Sequence, residues 1–248
     1  MEENRLIGNT NTSILKLFAL FFMIIDHVGV VFFPHISSLR VLGRIALPLY
    51  AWCLVVGCVK TRNPWRYTLR LLSLAIISQP LYMLALDHSL LELNIIFTLT
   101  LGVLAITGIR TRKYGSEWWL PALCYLAIAL VKMDYGWQGL TFVLLLYGAR
   151  KTLSGFICTF IAYSLFWGQS SYTVSSLFSF PLTFLYSKPL GLLISPFFRI
   201  QAMIWLALPF ILIPMKGKVI MPKWLSYSLY PLHLAVIILI RIACGDIL

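Results

Sequence analysis

The chain has 248 residues, of which 60% are hydrophobic and 11% charged, and a net charge of +12. A soluble domain carries roughly 25% charged residues, so the polar side chains are too few to coat a water-soluble globule. The basic residues lie mostly in short connections between apolar runs, where they orient a membrane protein and do not suggest nucleic-acid binding.

This composition predicts an all-α fold, a polytopic membrane helical bundle of about nine transmembrane helices in one domain over residues 1–248. The expected spans are 14–33, 39–59, 67–86, 94–109, 118–133, 136–149, 152–168, 200–215 and 224–242. The first apolar stretch, LKLFALFFMIIDHVGVVFF at 15–33, is read as a retained span. It contains Asp26 and His27, and no small-x-small cleavage site follows it. Cations then gather in alternate connections: Lys60, Arg62, Arg66 and Arg70; Arg110, Arg112 and Lys113; Arg150 and Lys151; Lys216, Lys218 and Lys223. The positive-inside rule makes these connections cytoplasmic, with the N-terminus inside and the C-terminus outside. Residues 168–199 resist the scheme because Pro181, Pro189 and Pro196 interrupt them. They are expected to form an outer-face interfacial or re-entrant element, or a pair of short spans. The cysteines at 53, 58, 124, 158 and 244 are odd in number and show no C-x-x-C spacing, so buried free thiols are expected.

Ionisable residues at membrane depth face a bundle interior or a cavity and mark functional paths by default. Lys16 and His27 are eleven residues apart, close to three helical turns, so they project from nearly one face about 16.5 Å apart along the axis. That stripe suits a ligand with a charged end and a reactive end, although a snorkelling anchor at Lys16 gives the same pattern. Asp26 points roughly 100° away from His27 and is expected to brace the first helix against a cation. Both Asp26 and His27 also fit a structural polar clamp. Arg44, in LGRIALPLY, and Asp134, in DYGWQGL, are each a possible partner for Asp26 or for one another. Asn94, in ELNIIFTL, is a helix cap or a polar site residue. The last span carries Tyr230 and His233 in YPLHL, where Pro231 removes a backbone donor and His233 is a second deep imidazole. In KTRNPWRYTLR (60–70), Arg66 and Arg70 share a helix face. With Arg62 they either fix topology against anionic lipid or dock a polyanionic co-substrate through guanidinium forks. No Walker A, nucleophile-elbow or H-E-x-x-H pattern is present, so a nucleotide-driven pump, a serine hydrolase and a zincin lack support.

The runs LKLFALFFMIIDHVG, LGRIALPLYAWCLV, LNIIFTLTLG, DYGWQGL and YPLHL, in this order from residue 15 to 240, resemble the motif series of the TraX family. These are bacterial inner-membrane proteins named for acetylation of conjugative pilin. The lysine-x10-histidine spacing is also similar to the first-helix signature of integral-membrane acyltransferases that modify surface glycans. The resemblance implies acetyl-CoA or another acyl-CoA as co-substrate, reaching in from the cytoplasm, and no metal. Lys16, Arg66 and Arg70, with Arg62, would hold its phosphates. The pantetheine arm would follow the stripe to His27, acting with Asp26 beside it. The acceptor would be an amine or hydroxyl, at a pilin N-terminus or on a surface glycan. His27 would serve either as general base or as a transient acyl-imidazole. Two rivals stand beside this: a proton-coupled transporter or flippase using Asp26, His27 and Asp134, and a non-catalytic membrane protein of envelope assembly.

Overall fold

Three of the long helices in this chain begin where an asparagine side chain closes an open backbone donor. The computed structural model describes residues 5–178, 180–215 and 221–245, the side chains of Tyr186 and Lys223 apart. Lys216 and Lys218, expected to mark the fourth basic connection, lie outside the described residues. The first helix, α1 (Thr12–Val31), starts at Asn11, whose side chain accepts from the Ile14 amide. The second apolar run is broken into α2 (Ser37–Gly43) and α3 (Ala46–Lys60). Pro48 explains part of the break. In a straight helix its ring would clash with the carbonyl of residue 44, whereas in the first turn of α3 its missing N–H is harmless. Asn63 caps α4 (Pro64–Leu86) by accepting from the Arg66 amide at 3.0 Å, and Pro64 occupies the first turn. The later helices are α5 (Ile95–Thr111), α6 (Ser116–Leu130), α7 (Gly136–Ala149) and α8 (Leu153–Gly168).

The described residues of 168–199 contain no helix of spanning length. They form a small antiparallel hairpin, β1 (Ser176–Leu177) with β2 (Phe180–Pro181), paired Ser176 to Pro181 and Leu177 to Phe180. A 3-10 turn at Thr183–Tyr186, the short α9 (Leu190–Ile194) and a second 3-10 turn at Ser195–Phe198 follow. This excludes the expected pair of short spans; the prolines leave only elements of two to five residues. The expected span at 200–215 is likewise a 3-10 turn, Ala202–Ala207, running into the short α10 (Leu208–Leu212). The chain ends in α11 (Lys223–Cys244), which contains Pro231.

Four helical runs are long and apolar enough to cross a membrane: Thr12–Val31, Ser37–Lys60, Pro64–Leu86 and Trp224–Cys244. Helices α5, α6, α7 and α8 have 17, 15, 14 and 16 residues. Each is about 21–26 Å long, against a hydrocarbon core of about 30 Å. Helix length by itself therefore establishes four candidate crossings among the described residues.

The single domain expected from sequence is organised as two compact units. One is built mainly from Ala51–Arg150 with α11; the other comprises Ile7–Tyr50 and Lys151–Lys218. They are called the α5 unit and the α1 unit below. In the α5 unit, α5 is packed by α4, α6 and α7, and α11 packs on α4. Burial along α5 is almost continuous from Thr98 to Gly108, as expected of a helix that is apolar all round. Its threonines Thr100 and Thr107 donate back to the Ile96 and Val103 carbonyls at 2.7 Å, so their buried hydroxyls are hydrogen-bonded. Gly102 lets the side chain of Val143 approach closer than a Cβ would allow. Two cations expected only to mark connections also make protein contacts. Arg110 donates through Nη1 to the Cys58 carbonyl near the end of α3, and Arg150 is buried with its guanidinium 3.7 Å over the Tyr147 ring.

In the α1 unit, α1 packs on α2, and Phe18 and Phe22 meet Phe210 at ring distances of 5.2 and 5.6 Å. Val41, Val174, Ile200 and Met203 form a buried cluster. The hairpin is tied to the start of α2. Ser37 donates to the Ser176 carbonyl at 3.3 Å, and the Ser38 hydroxyl accepts from the Phe178 amide at 2.7 Å. The opposite face of α1 leaves Leu17, Phe21 and Ile24 exposed, the arrangement lipid tails accommodate. Cys53, Cys58 and Cys124 are buried free thiols as expected, whereas Cys158 and Cys244 are exposed.

Candidate functional site: an ion cluster on the first span

The α1 helix runs without interruption through Lys16, Asp26 and His27. The stripe inferred from spacing is therefore real at the level of the backbone: Lys16 and His27 are on nearly one face, about 16.5 Å apart. Both side chains are half-buried.

Asp26 is held by two guanidinium groups. Arg40 Nη1 lies 2.8 Å from Asp26 Oδ2, and Arg44 Nη2 lies 3.3 Å from Oδ1. Arg44 is 5% exposed. It also donates through Nη1 to Gln201 Oε1 at 3.0 Å and through Nε to the Arg40 carbonyl at 3.4 Å. Position 44 is where α2 ends: its amide bonds to the carbonyls of Arg40 and Val41, both at 3.2 Å. The break in the second apolar run thus presents a buried guanidinium to the only carboxylate of α1. Gly43 makes this possible, since a Cβ there would overlap the Asp26 carboxylate. A desolvated carboxylate needs a partner with good geometry and further hydrogen bonds; Arg44, Arg40 and Gln201 supply them.

Of the residues singled out from sequence, Asp26 and Arg44 are brought together and His27 follows on the same helix. Arg40 and Gln201 were missed. Arg40 precedes Arg44 by four residues, the spacing of a shared helix face, and that was a usable signal. Gln201 is 157 positions from Arg44, and nothing local announces the contact.

The other predicted residues belong to the α5 unit. Arg62, Arg66 and Arg70 are exposed over the start of α4, and Arg70 Nε donates to the Arg66 carbonyl at 3.1 Å. Asn94 is fully buried and is the N-cap of α5. Its side-chain oxygen accepts from the Ile96 amide at 3.0 Å. Its amide group donates to the Ala75 carbonyl and to Gln79 Oε1, both at 2.9 Å. The Asp134 backbone carbonyl accepts from Thr98 at 2.7 Å. In α11, His233 Nδ1 is 3.2 Å from the Leu229 carbonyl, and Tyr230 meets its ring edge-on at 5.2 Å. Both are buried. A further cluster lies between α4 and α5. His88 Nδ1 is 2.7 Å from Glu92 Oε2, Lys132 pairs with Oε1, and Tyr82 stacks on the His88 ring at 4.7 Å. The hydrogen bond from Lys132, then that from His88, pulls the Glu92 carboxyl down to about 2. Among the described residues no three His, Cys, Asp or Glu side chains gather as a metal ion would need.

Apolar helices of spanning length and an ion-paired carboxylate held within the first of them define a helical membrane protein with a polar centre. The chain belongs to the TraX family, whose model, described as TraX protein, matches residues 11–241. It is 28% identical over 241 residues to the "Probable fimbrial assembly protein FimC, serogroup H1" of Dichelobacter nodosus, covering 90% of this chain and 92% of that one. It is 26% identical over 157 residues to an uncharacterised protein of Rickettsia prowazekii (strain Madrid E), covering 60% of each. No solved structure matches.

Proposed function

We propose that the protein is an integral-membrane acyltransferase of the bacterial inner membrane. It would take an acyl group from cytoplasmic acyl-coenzyme A and pass it to an amine or hydroxyl presented from the outer side. The observation that carries this reading is the α1 stripe: an unbroken helix sets the cation Lys16 and the imidazole His27 on nearly one face. Asp26, turned roughly 100° away, is taken up by Arg40 and Arg44. The nine-crossing arrangement with a cytoplasmic N-terminus is part of the proposal. It puts Lys16 at the inner end of α1 and His27 beyond its middle, with the shorter helices crossing where the bilayer thins or flanking aromatic residues extend them.

In the reaction, His27 takes the proton of the acceptor N–H or O–H. The freed lone pair attacks the thioester carbonyl, the C–S bond breaks, and the departing thiolate receives the proton as coenzyme A. An imidazole exchanges protons near neutral pH, which suits both halves of that transfer. Lys16 is the phosphate anchor whose spacing from His27 is set by their common helix. Arg66 and Arg70 form a separate cationic stripe on α4, with Arg62 just before the helix, and are tested on their own by charge removal. The relative named for fimbrial assembly supports a pilin acceptor.

The same name supports a second reading, a non-catalytic role in pilus or envelope assembly, which needs no deep imidazole. Thiol release from acetyl-coenzyme A by the purified protein separates the two. Release that disappears in His27→Ala, with the protein still inserted and folded, is the expected result. A fully active His27→Ala protein removes the catalytic assignment.

A further inference from the structure

The α1 unit is poor in acid. Of residues 7–50 and 151–218, Asp26 is the only Asp or Glu. That one carboxylate is shared by two guanidinium groups, and guanidinium is always protonated in proteins. Two positive charges against one negative leave one positive charge uncancelled in the cluster. It sits five residues before the end of α1, about 7.5 Å along the axis.

The cluster is asymmetric. Arg44 is buried, and Nε, Nη1 and Nη2 are each engaged by Arg40, Gln201 and Asp26. The Arg40 side chain is 29% exposed and meets Asp26 through Nη1, which leaves its Nε and Nη2 donors outside that contact. Their planar fork matches two oxygens of a carboxylate or phosphate. An uncancelled cation close to lipid is costly, and an anion docking at Arg40 relieves it.

We infer that Arg40 and Arg44, with Asp26 as an internal counter-charge, form a receptor for a single oxyanion group, a phosphate or carboxylate, that docks on Arg40. At this depth the group can arrive on a soluble molecule or as the headgroup phosphate of an anionic lipid; the chemistry of recognition is the same. The inference does not rest on acyl transfer, and its test reads binding without turnover.

The test uses the full chain purified in a non-ionic detergent. Inorganic phosphate is titrated at constant ionic strength, with chloride as the balancing ion, and the unfolding midpoint is followed. In parallel, the protein is placed in nanodiscs of phosphatidylcholine with or without phosphatidylglycerol, and retained lipid is counted by native mass spectrometry. A saturable rise in midpoint with phosphate identifies a soluble oxyanion source. Selective retention of phosphatidylglycerol identifies the lipid source. Either effect should weaken at least tenfold in Arg40→Gln and be unchanged in Lys188→Gln, an exposed cation of the same unit. Asp26→Asn removes the internal counter-charge and should tighten binding. Should Arg40→Gln fail to fold, phenylglyoxal labelling of Arg40 in the unmodified chain replaces it, and saturating phosphate or phosphatidylglycerol should slow that labelling. Absence of both binding effects overturns the inference. So does binding of equal strength in Arg40→Gln, or labelling of Arg40 that neither anion slows.

Discussion

Asp26 and Arg44 stand 18 residues apart in the chain and 3.3 Å apart in space. The pair joins the last turns of α1 to the break between α2 and α3, so one ion pair ties the orientation of α1 to the point where the second apolar run is interrupted. Its partner positions are unequal: Arg44 is buried and saturated with contacts, and Arg40 is open. Removing one member of a buried pair strands the other, and that loss exceeds the net worth of the pair.

Gly43 is the position at which this geometry is most sensitive. A methyl group there would overlap the Asp26 carboxylate. Gly43→Ala should push α1 away from the break and lower stability by about 1–3 kcal/mol, the usual range for overpacking. Chaotrope unfolding in detergent measures it. An unchanged midpoint would mean that the carboxylate does not approach the α2 terminus.

Asn94 shows how a modest sequence signal can understate a residue. A cap of α5 is expected from ELNIIFTL, and the side chain does accept from the Ile96 amide; it also donates to Ala75 and Gln79 on α4. Asn94→Ala leaves the buried Ile96 amide without its capping acceptor, removes the added donor to the Ala75 carbonyl, and should cost about 1–3 kcal/mol. Asn94→Asp should cost more, because it sets a second acceptor against the Ala75 carbonyl. If Asp is tolerated better than Ala in the same unfolding assay, the donor contact to Ala75 is not what holds the site.

Caps, prolines and apolar runs are local, and they placed most helices to within a few residues: expected spans 136–149 and 67–86 became Gly136–Ala149 and Pro64–Leu86. The Lys16–His27 stripe was legible for the same reason, since it needs only helical periodicity. Depth was less legible. Apolar composition cannot distinguish a helix that spans from one that is merely buried, so α5 to α8 read as full spans although each is short. The break at Gly43–Arg44 was also hidden, because averaged over Ser37–Lys60 the hydropathy is that of one continuous span. The partners of Asp26 split along the same line. Arg44 was among the sequence candidates, Arg40 lies one turn away, and Gln201 depends on a packing arrangement that no neighbouring residue encodes.

Between α4 and α5, Glu92 has its carboxyl pulled down to about 2 from an ordinary 4.5, chiefly by Lys132 and then by His88. The folded chain thus keeps this carboxylate charged at a pH where the unfolded chain would protonate it. Its contribution to stability is complete above pH 4.5 and is lost as pH falls toward about 2. Unfolding midpoints of the native chain and Glu92→Gln, measured across this range, should differ by a constant amount near neutrality and converge on acidification. A gap that widens in acid would reverse the sign and exclude the Lys132 and His88 contacts as its cause.

The two ends of the α1 stripe should fail in different ways if the proposed chemistry is right. Lys16 is an anchor for phosphate, so its charge acts on the bound donor in ground state and transition state alike. Lys16→Gln should raise KM for acetyl-coenzyme A by about tenfold, the loss expected of one charge-assisted hydrogen bond, with kcat little changed. His27 acts only while the acceptor proton is in flight. His27→Gln should lower kcat by about 10²–10⁴-fold with a much smaller effect on KM. Removing Arg66 and Arg70 together tests the α4 stripe by the same criterion. A rise in KM there assigns it to the donor, and unchanged kinetics with altered membrane orientation assigns it to topology. Should Lys16 and His27 substitutions produce the same split between KM and kcat, the division of the stripe into a binding end and a reacting end is wrong, even though both residues share one face of one helix.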